Sequence, residues 1–220
     1  KTTDIDEPAG TYSRAILNRL LIDLSWASSH LEGNTYSRLD TRELIEHGKA
    51  ARGKGAIETQ MILNHKTAIE LLVENIDSAE FNRYTLMNLH SALAENLLPN
   101  PADEGRIRQH AVDISKSIYR PLSTAQQIEE VLDEVLSKAN QIHDPFEQSF
   151  FMMVHLPYLQ PFADINKRTS RLAANLPLFR GNLCPLTFLD VPEQAYSRAT
   201  LGVYDMARIE LLRDLYVWAY

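Results

Sequence analysis

The stretch Gln160-Pro161-Phe162-Ala163-Asp164-Ile165-Asn166-Lys167-Arg168-Thr169-Ser170-Arg171 lies where a proline-interrupted loop, Leu156 to Asn166, feeds into an amphipathic helix. Asn166 stands at the expected N-cap, and the first amides of such a helix lack intrahelical acceptors and face the loop, where the helix dipole favours an anion. Arg168 and Arg171 are three residues apart and share a face. Two guanidiniums, the Lys167 ammonium and free amides at one helix end are the makings of a phosphate pocket, and Asp164 just upstream can hold a magnesium ion that bridges phosphates. The same composition also describes a capped surface helix with solvated basic side chains.

Outward from this stretch, apolar residues recur with helical spacing almost everywhere, so the fold is expected to be all-α. The first helix is predicted from Thr11 to Leu31, with Ile16, Leu20, Leu24 and Ala27 on one stripe and Gly33 as its stop. Further helices are expected over Ser37–His47, Ala56–Ile76, Asn82–Asn96, Ser123–Asn140, Pro145–His155, Lys167–Phe179 and Glu193–Tyr220, the last broken near Gly202. The exception is Arg106–Pro121, where Val112 and Ile114 alternate with polar residues and predict a short β-hairpin. No internal repeat or low-complexity tract interrupts the pattern.

The 220 residues, 45% of them hydrophobic, suffice for one well-buried domain. A net charge of −7 argues against wrapping a polyanion, so no nucleic-acid partner is expected for this region. The single cysteine, Cys184, excludes an internal disulfide, gives no support to a zinc site and fits a reducing, cytoplasmic setting. No apolar run approaches the length of a membrane span. The amphipathic pattern of Leu211–Tyr220 carries no stop signal, which predicts a polypeptide continuing past Tyr220.

The stretch 160–171 resembles the Fic-family motif His-Pro-Phe-x-Asp/Glu-Gly-Asn-Gly-Arg-x-x-Arg. Pro161, Phe162, Asp164, Asn166, Arg168 and Arg171 match, whereas Gln160 replaces the catalytic histidine and Ile165 and Lys167 replace the two glycines. The resemblance implies a Fic-type helical bundle in which Phe162 anchors the loop, Asp164 serves Mg2+, Asn166 shapes the anion hole, and Arg168 and Arg171 hold the phosphates of ATP. Ser28-Ser29-His30-Leu31-Glu32-Gly33 is similar to the family's inhibitory motif, Ser/Thr-x-x-x-Glu-Gly/Asn. By that likeness Glu32, supported by Ser28, pairs with Arg171 and keeps the γ-phosphate from its productive pose. A fainter echo, Gly105-Arg106-Ile107-Arg108 followed by Val112-Asp113-Ile114, looks like the flap on which members dock an extended segment of a target protein. The implied organisation is an N-terminal helical region, 1–80, carrying the inhibitory helix, and a Fic core, 81–220. A homodimer is left open.

In active members the histidine takes the proton of a target hydroxyl as its oxygen attacks the α-phosphate of ATP, so that AMP is transferred to protein. A glutamine amide cannot do this, and loss of a general base costs roughly a hundredfold to ten-thousandfold in rate. His155 is five residues before Gln160, with Pro157 between them, and is not expected to substitute. A β-branched residue at the first glycine position predicts an altered loop, since positive φ is unfavourable there. Lys167 adds a point charge beside the expected phosphates. The reading is a nucleotide-binding Fic domain with impaired AMP transfer. Its alternatives are a non-enzymatic nucleotide sensor or docking regulator, and a transferase with a different donor or base.

Overall fold

The computed structural model describes residues 7–220 and is built from helices α1 (Thr11–Ala15), α2 (Leu17–His30), α3 (Arg38–His47), α4 (Ala56–Glu74), α5 (Arg83–Ala94), α6 (Ala125–Gln141), α7 (Pro145–Leu159), α8 (Asn166–Ala173), α9 (Asn175–Arg180), α10 (Glu193–Met206) and α11 (Glu210–Ala219). The architecture is all-α, as the periodicity predicts. The helical breaks have local causes. The predicted first helix is interrupted at Ile16, whose φ of −105° leaves the helical range. Conversely, α7 runs on through Pro157 to Leu159, because a proline in the last turn removes one hydrogen bond and leaves the rest of the helix intact. Pro177 has no N–H for the carbonyl of Ala173, and the predicted helix 167–179 divides there into α8 and α9. The C-terminal break falls after Met206 and not at Gly202: Ala207 is left-handed at φ 51°, and the amide of Arg208 returns to the carbonyl of Gly202 at 3.2 Å.

One continuous apolar core runs through the bundle, with α2 packed on α4, α4 on α5, and α8 held between α5 and α7. The stripe Leu20, Leu24, Ala27 faces this core. Within α8 every residue except Lys167 is buried, so the helix bearing the two arginines lies at the centre of the molecule and not on its surface. That burial removes the solvated-surface-helix interpretation of 166–171. No described helix is long and apolar enough to cross a membrane.

The predicted β-hairpin is not formed. Among the described residues there is no strand, and 107–124 is an irregular excursion with a tight turn at its tip, where the Ser117 amide donates to the carbonyl of Ile114 at 3.1 Å. The reason is Arg108, which is almost fully buried between the arms and occupies the space a ladder would need. Its guanidinium donates to the carbonyls of Gln160 (2.6 Å), His110 (2.7 Å) and Leu122 (2.5 Å). Pro121 lacks an N–H as well, and the arms are joined instead through the Asp113–Arg120 ion pair at 2.6 Å. The alternation at Val112 and Ile114 therefore reflects a half-buried loop.

Candidate functional site

Leaving α7, the chain turns through Gln160 in the left-handed region, φ 52°. The loop beyond it is stitched together by amide side chains. Asn166 Oδ1 accepts from the Phe162 amide at 3.0 Å, and its Nδ2 donates to the Phe162 carbonyl and to Gln160 Oε1, both at 2.9 Å. Gln160 Nε2 donates to the Pro157 carbonyl at 2.7 Å. Asn166 is therefore the first residue of α8 and a loop clasp, not the N-cap; that position is taken by Ile165. Ile165 adopts φ 65° despite its branched side chain, so the left-handed turn that glycine would permit is kept and not reshaped. Its side chain is buried, which offsets the strain, and Asp164 Oδ1 accepts its amide at 2.5 Å.

Phe162 is fully buried and stacks on the His90 ring, with centroids 3.9 Å apart. His90 Nδ1 accepts the Gly105 amide at 3.0 Å, so Nε2 carries the proton and donates to the carbonyl of Asp164 at 3.2 Å. Burial lowers the His90 pKa to about 4, which keeps the ring neutral.

Arg171 is completely buried, and each of its guanidinium nitrogens has a partner. Its Nε donates to Ser28 Oγ (3.0 Å), Nη1 to Tyr196 Oη (3.0 Å), and Nη2 to the Ser28 carbonyl (3.0 Å) and Glu32 Oε1 (2.8 Å). Glu32 lies in the turn just past α2, where Gly33 at φ 84° reverses the chain, and its other oxygen meets Lys167 Nζ at 3.0 Å. One carboxylate thus bridges the two cations. Burial works against its ionised form, but Arg171, Lys167 and Arg168 outweigh that and hold its pKa below the ordinary carboxylate value. Ser28 is itself fixed from the far side. His65 Nδ1 lies 2.8 Å from the Met61 carbonyl and therefore carries the proton, leaving Nε2 to accept the Ser28 hydroxyl at 2.9 Å. Burial drives the His65 pKa down to about 3.

Arg168 differs from its neighbour. Its guanidinium is buried, and Nε and Nη1 have no partner among the described residues. Burial lowers its pKa, against the attraction of Glu32 and Asp164. The amides of residues 166–168 are likewise free of backbone acceptors among the described residues.

A cavity of about 640 Å³ opens beside the start of α8. It brings together Glu32, Gln160, Asp164 and Lys167 with the predicted flap residues Val112, Asp113 and Ile114, while Ser28, Gly33, Asn166, Arg168 and Arg171 do not line it. Its remaining walls include His110, Asp103 and Tyr204, none of which the sequence marked. His65, His90 and Tyr196 also went unmarked, because the site partners they hold lie far away in the chain. Only the Gly-Arg-Ile-Arg run gave a local signal, and only for Arg108.

Residues 80–178 match the family model described as Fic/DOC family. This segment belongs to the Fic/DOC family. The chain is 28% identical over 182 residues to protein adenylyltransferase fic-1 of Caenorhabditis elegans, covering 80% of this chain and 35% of that protein. The likeness to protein adenylyltransferase Fic of Nematostella vectensis is 28% over 164 residues, 72% of this chain and 38% of that one. The chain thus spans about a third of the length of the curated relatives it matches. Among solved structures, a Fic domain containing signaling protein from Bacteroides thetaiotaomicron superposes with a TM-score of 0.77 at 14% identity, over 97% of this chain and 86% of that one. Fic-1 from C. elegans gives a TM-score of 0.74 at 21% identity, over 96% and 66%. The Fic fold thus extends across nearly the whole chain.

Proposed function

We propose that this Fic domain binds the phosphates of ATP in the cavity before α8, and transfers AMP to a protein hydroxyl far more slowly than a site with histidine at position 160. The observation that carries the reading is Arg168. A buried guanidinium with two unpartnered nitrogens is costly unless an anion completes it, and it stands at a helix start whose first amides are also free. The names of the adenylyltransferase relatives support ATP as the anion. Asp164 lines the cavity with one carboxylate oxygen on its own loop. Asp164 is the carboxylate that would hold a magnesium ion, whose charge would offset that of the phosphates.

In this reading residues 1–80 supply a regulator. Glu32 occupies Arg171 and Lys167, the two cations that would otherwise join Arg168 on the phosphates. A target protein docks along 112–114, whose main-chain groups are not engaged in a ladder. The second reading, a nucleotide sensor without chemistry, draws on Gln160, whose amide oxygen and nitrogen each make a bond that holds the loop.

Calorimetric titration of ATP with magnesium tests the reading. Relative to wild type, Glu32→Gly is expected to bind about 5- to 150-fold more tightly, since removing an anionic competitor releases roughly 1–3 kcal/mol. Arg168→Ala is expected to abolish the signal. Absence of binding in a folded Glu32→Gly protein would refute the phosphate site.

A further inference from the structure

The inference rests on the nucleotide reading above and concerns what takes the proton. Gln160 is unavailable: Oε1 accepts from Asn166 and Nε2 donates to Pro157, so the amide is spent on the loop, besides lacking a basic nitrogen. The other groups on the cavity are engaged or unsuited. Glu32 is bound to Arg171 and Lys167, Asp113 to Arg120, and Asp164 to the Ile165 amide. Asp103 accepts from Asn100 at 3.3 Å. Burial pushes the Tyr204 hydroxyl up, away from neutrality.

One group remains. His110 lies on the cavity wall, is exposed, and its imidazole has no hydrogen bond among the described residues. Its place beside position 160 is set by a single buried side chain: the Arg108 guanidinium holds the His110 carbonyl with Nη1 and the Gln160 carbonyl with Nε. A rigid planar fork therefore ties the backbone of the excursion to the backbone of the motif. Of the chain's 7 histidines, His65 and His90 are buried in structural contacts, and His30, His47, His143 and His155 do not line this cavity.

We infer that His110 supplies from the excursion the base that position 160 has lost. The oxygen of an incoming hydroxyl forms a bond to the α-phosphorus of ATP as its proton passes to the free imidazole nitrogen of His110. The bond from that phosphorus to the bridging oxygen breaks, and pyrophosphate leaves with the bond's electron pair. Asp103, Asp113, Asp164 and Glu32 on one side and Lys167 on the other are the charges that surround this imidazole in the cavity.

The test uses ATP with magnesium and reads pyrophosphate release, which counts transfer to protein hydroxyls and to water alike, with calorimetry for ATP affinity in parallel. In the Glu32→Gly background, release above the protein-free rate is expected. Adding His110→Ala should lower it about a hundredfold, with ATP affinity nearly unchanged. Adding Gln160→His to that protein should restore release, which a merely disordered excursion would not allow. An unchanged rate in His110→Ala would overturn the assignment. So would ATP binding without any pyrophosphate release in Glu32→Gly. Failure of ATP to bind at all would instead refute the nucleotide site, and the role of His110 with it.

Discussion

Ser28 Oγ stands between two buried partners, giving its proton to His65 Nε2 and accepting one from Arg171 Nε. Ser28→Ala leaves a buried guanidinium nitrogen and an imidazole nitrogen unpaired, so it is expected to destabilise the fold by about 1–3 kcal/mol in chemical denaturation. That loss should come with weaker, not stronger, ATP binding, because Arg171 loses its position and Glu32 remains. The four-residue spacing of Ser28 and Glu32 and the resemblance around Arg171 made this pairing legible in the sequence. His65, 37 residues from Ser28, and Tyr196, 25 residues from Arg171, were not, since only tertiary packing brings them there. Ile165 shows the converse: its sequence pointed to a distorted loop, yet the left-handed turn persists. Strain of roughly 1–2 kcal/mol at such a residue is smaller than the roughly 1.5–3 kcal/mol from burying an isoleucine side chain, before the cavity left by its removal is added. Ile165→Gly is accordingly expected to lower the melting temperature, although glycine suits the backbone better.

Among the elements, the excursion 107–124 departs furthest from its sequence reading. Alternation of apolar and polar residues is the mark of a half-buried extended segment, and it says nothing about whether a partner strand lies alongside. Here the partner is the guanidinium of Arg108, which satisfies three carbonyls from residues 110, 122 and 160. Ser117 and the Ile118 amide, both on Asp205 Oδ1, fasten the far arm to α10. Arg108→Ala strands three carbonyls and is expected to cost about 3 kcal/mol or more. The loss should concentrate in the excursion: amide exchange across 107–124 should accelerate by orders of magnitude, while α4 and α7 keep their protection. Uniform acceleration across the chain would mean that Arg108 braces the bundle and not this element.

At the scale of the whole molecule, both supports of the site pass through neutral histidines. His65 orients the Ser28–Arg171–Glu32 cluster, and His90 holds the carbonyl of Asp164 and the face of Phe162. Burial lowers their pKa values from 6.5 to about 3 and about 4. Between pH 6.5 and 4 the unfolded chain therefore binds protons at both positions that the folded chain refuses. Stability is fully present above pH 6.5 and falls as the pH drops toward the folded values, by about 1.4 kcal/mol per pH unit for each ring. Together they predict a loss on the order of 3–4 kcal/mol between pH 8 and pH 5, measurable by urea denaturation across that range. Glu32, whose carboxyl is held low, works in the same direction at still lower pH. His65→Gln should be less stable at pH 8 yet show about half the wild-type slope. A slope unchanged in that variant would mean that His65 does not titrate with folding. Because a second proton on either ring would face a donor, the Ser28 hydroxyl or the Gly105 amide, acid should loosen the regulatory cluster and the motif loop together. ATP affinity is then expected to fall over the same pH interval as stability, in a protein still largely folded.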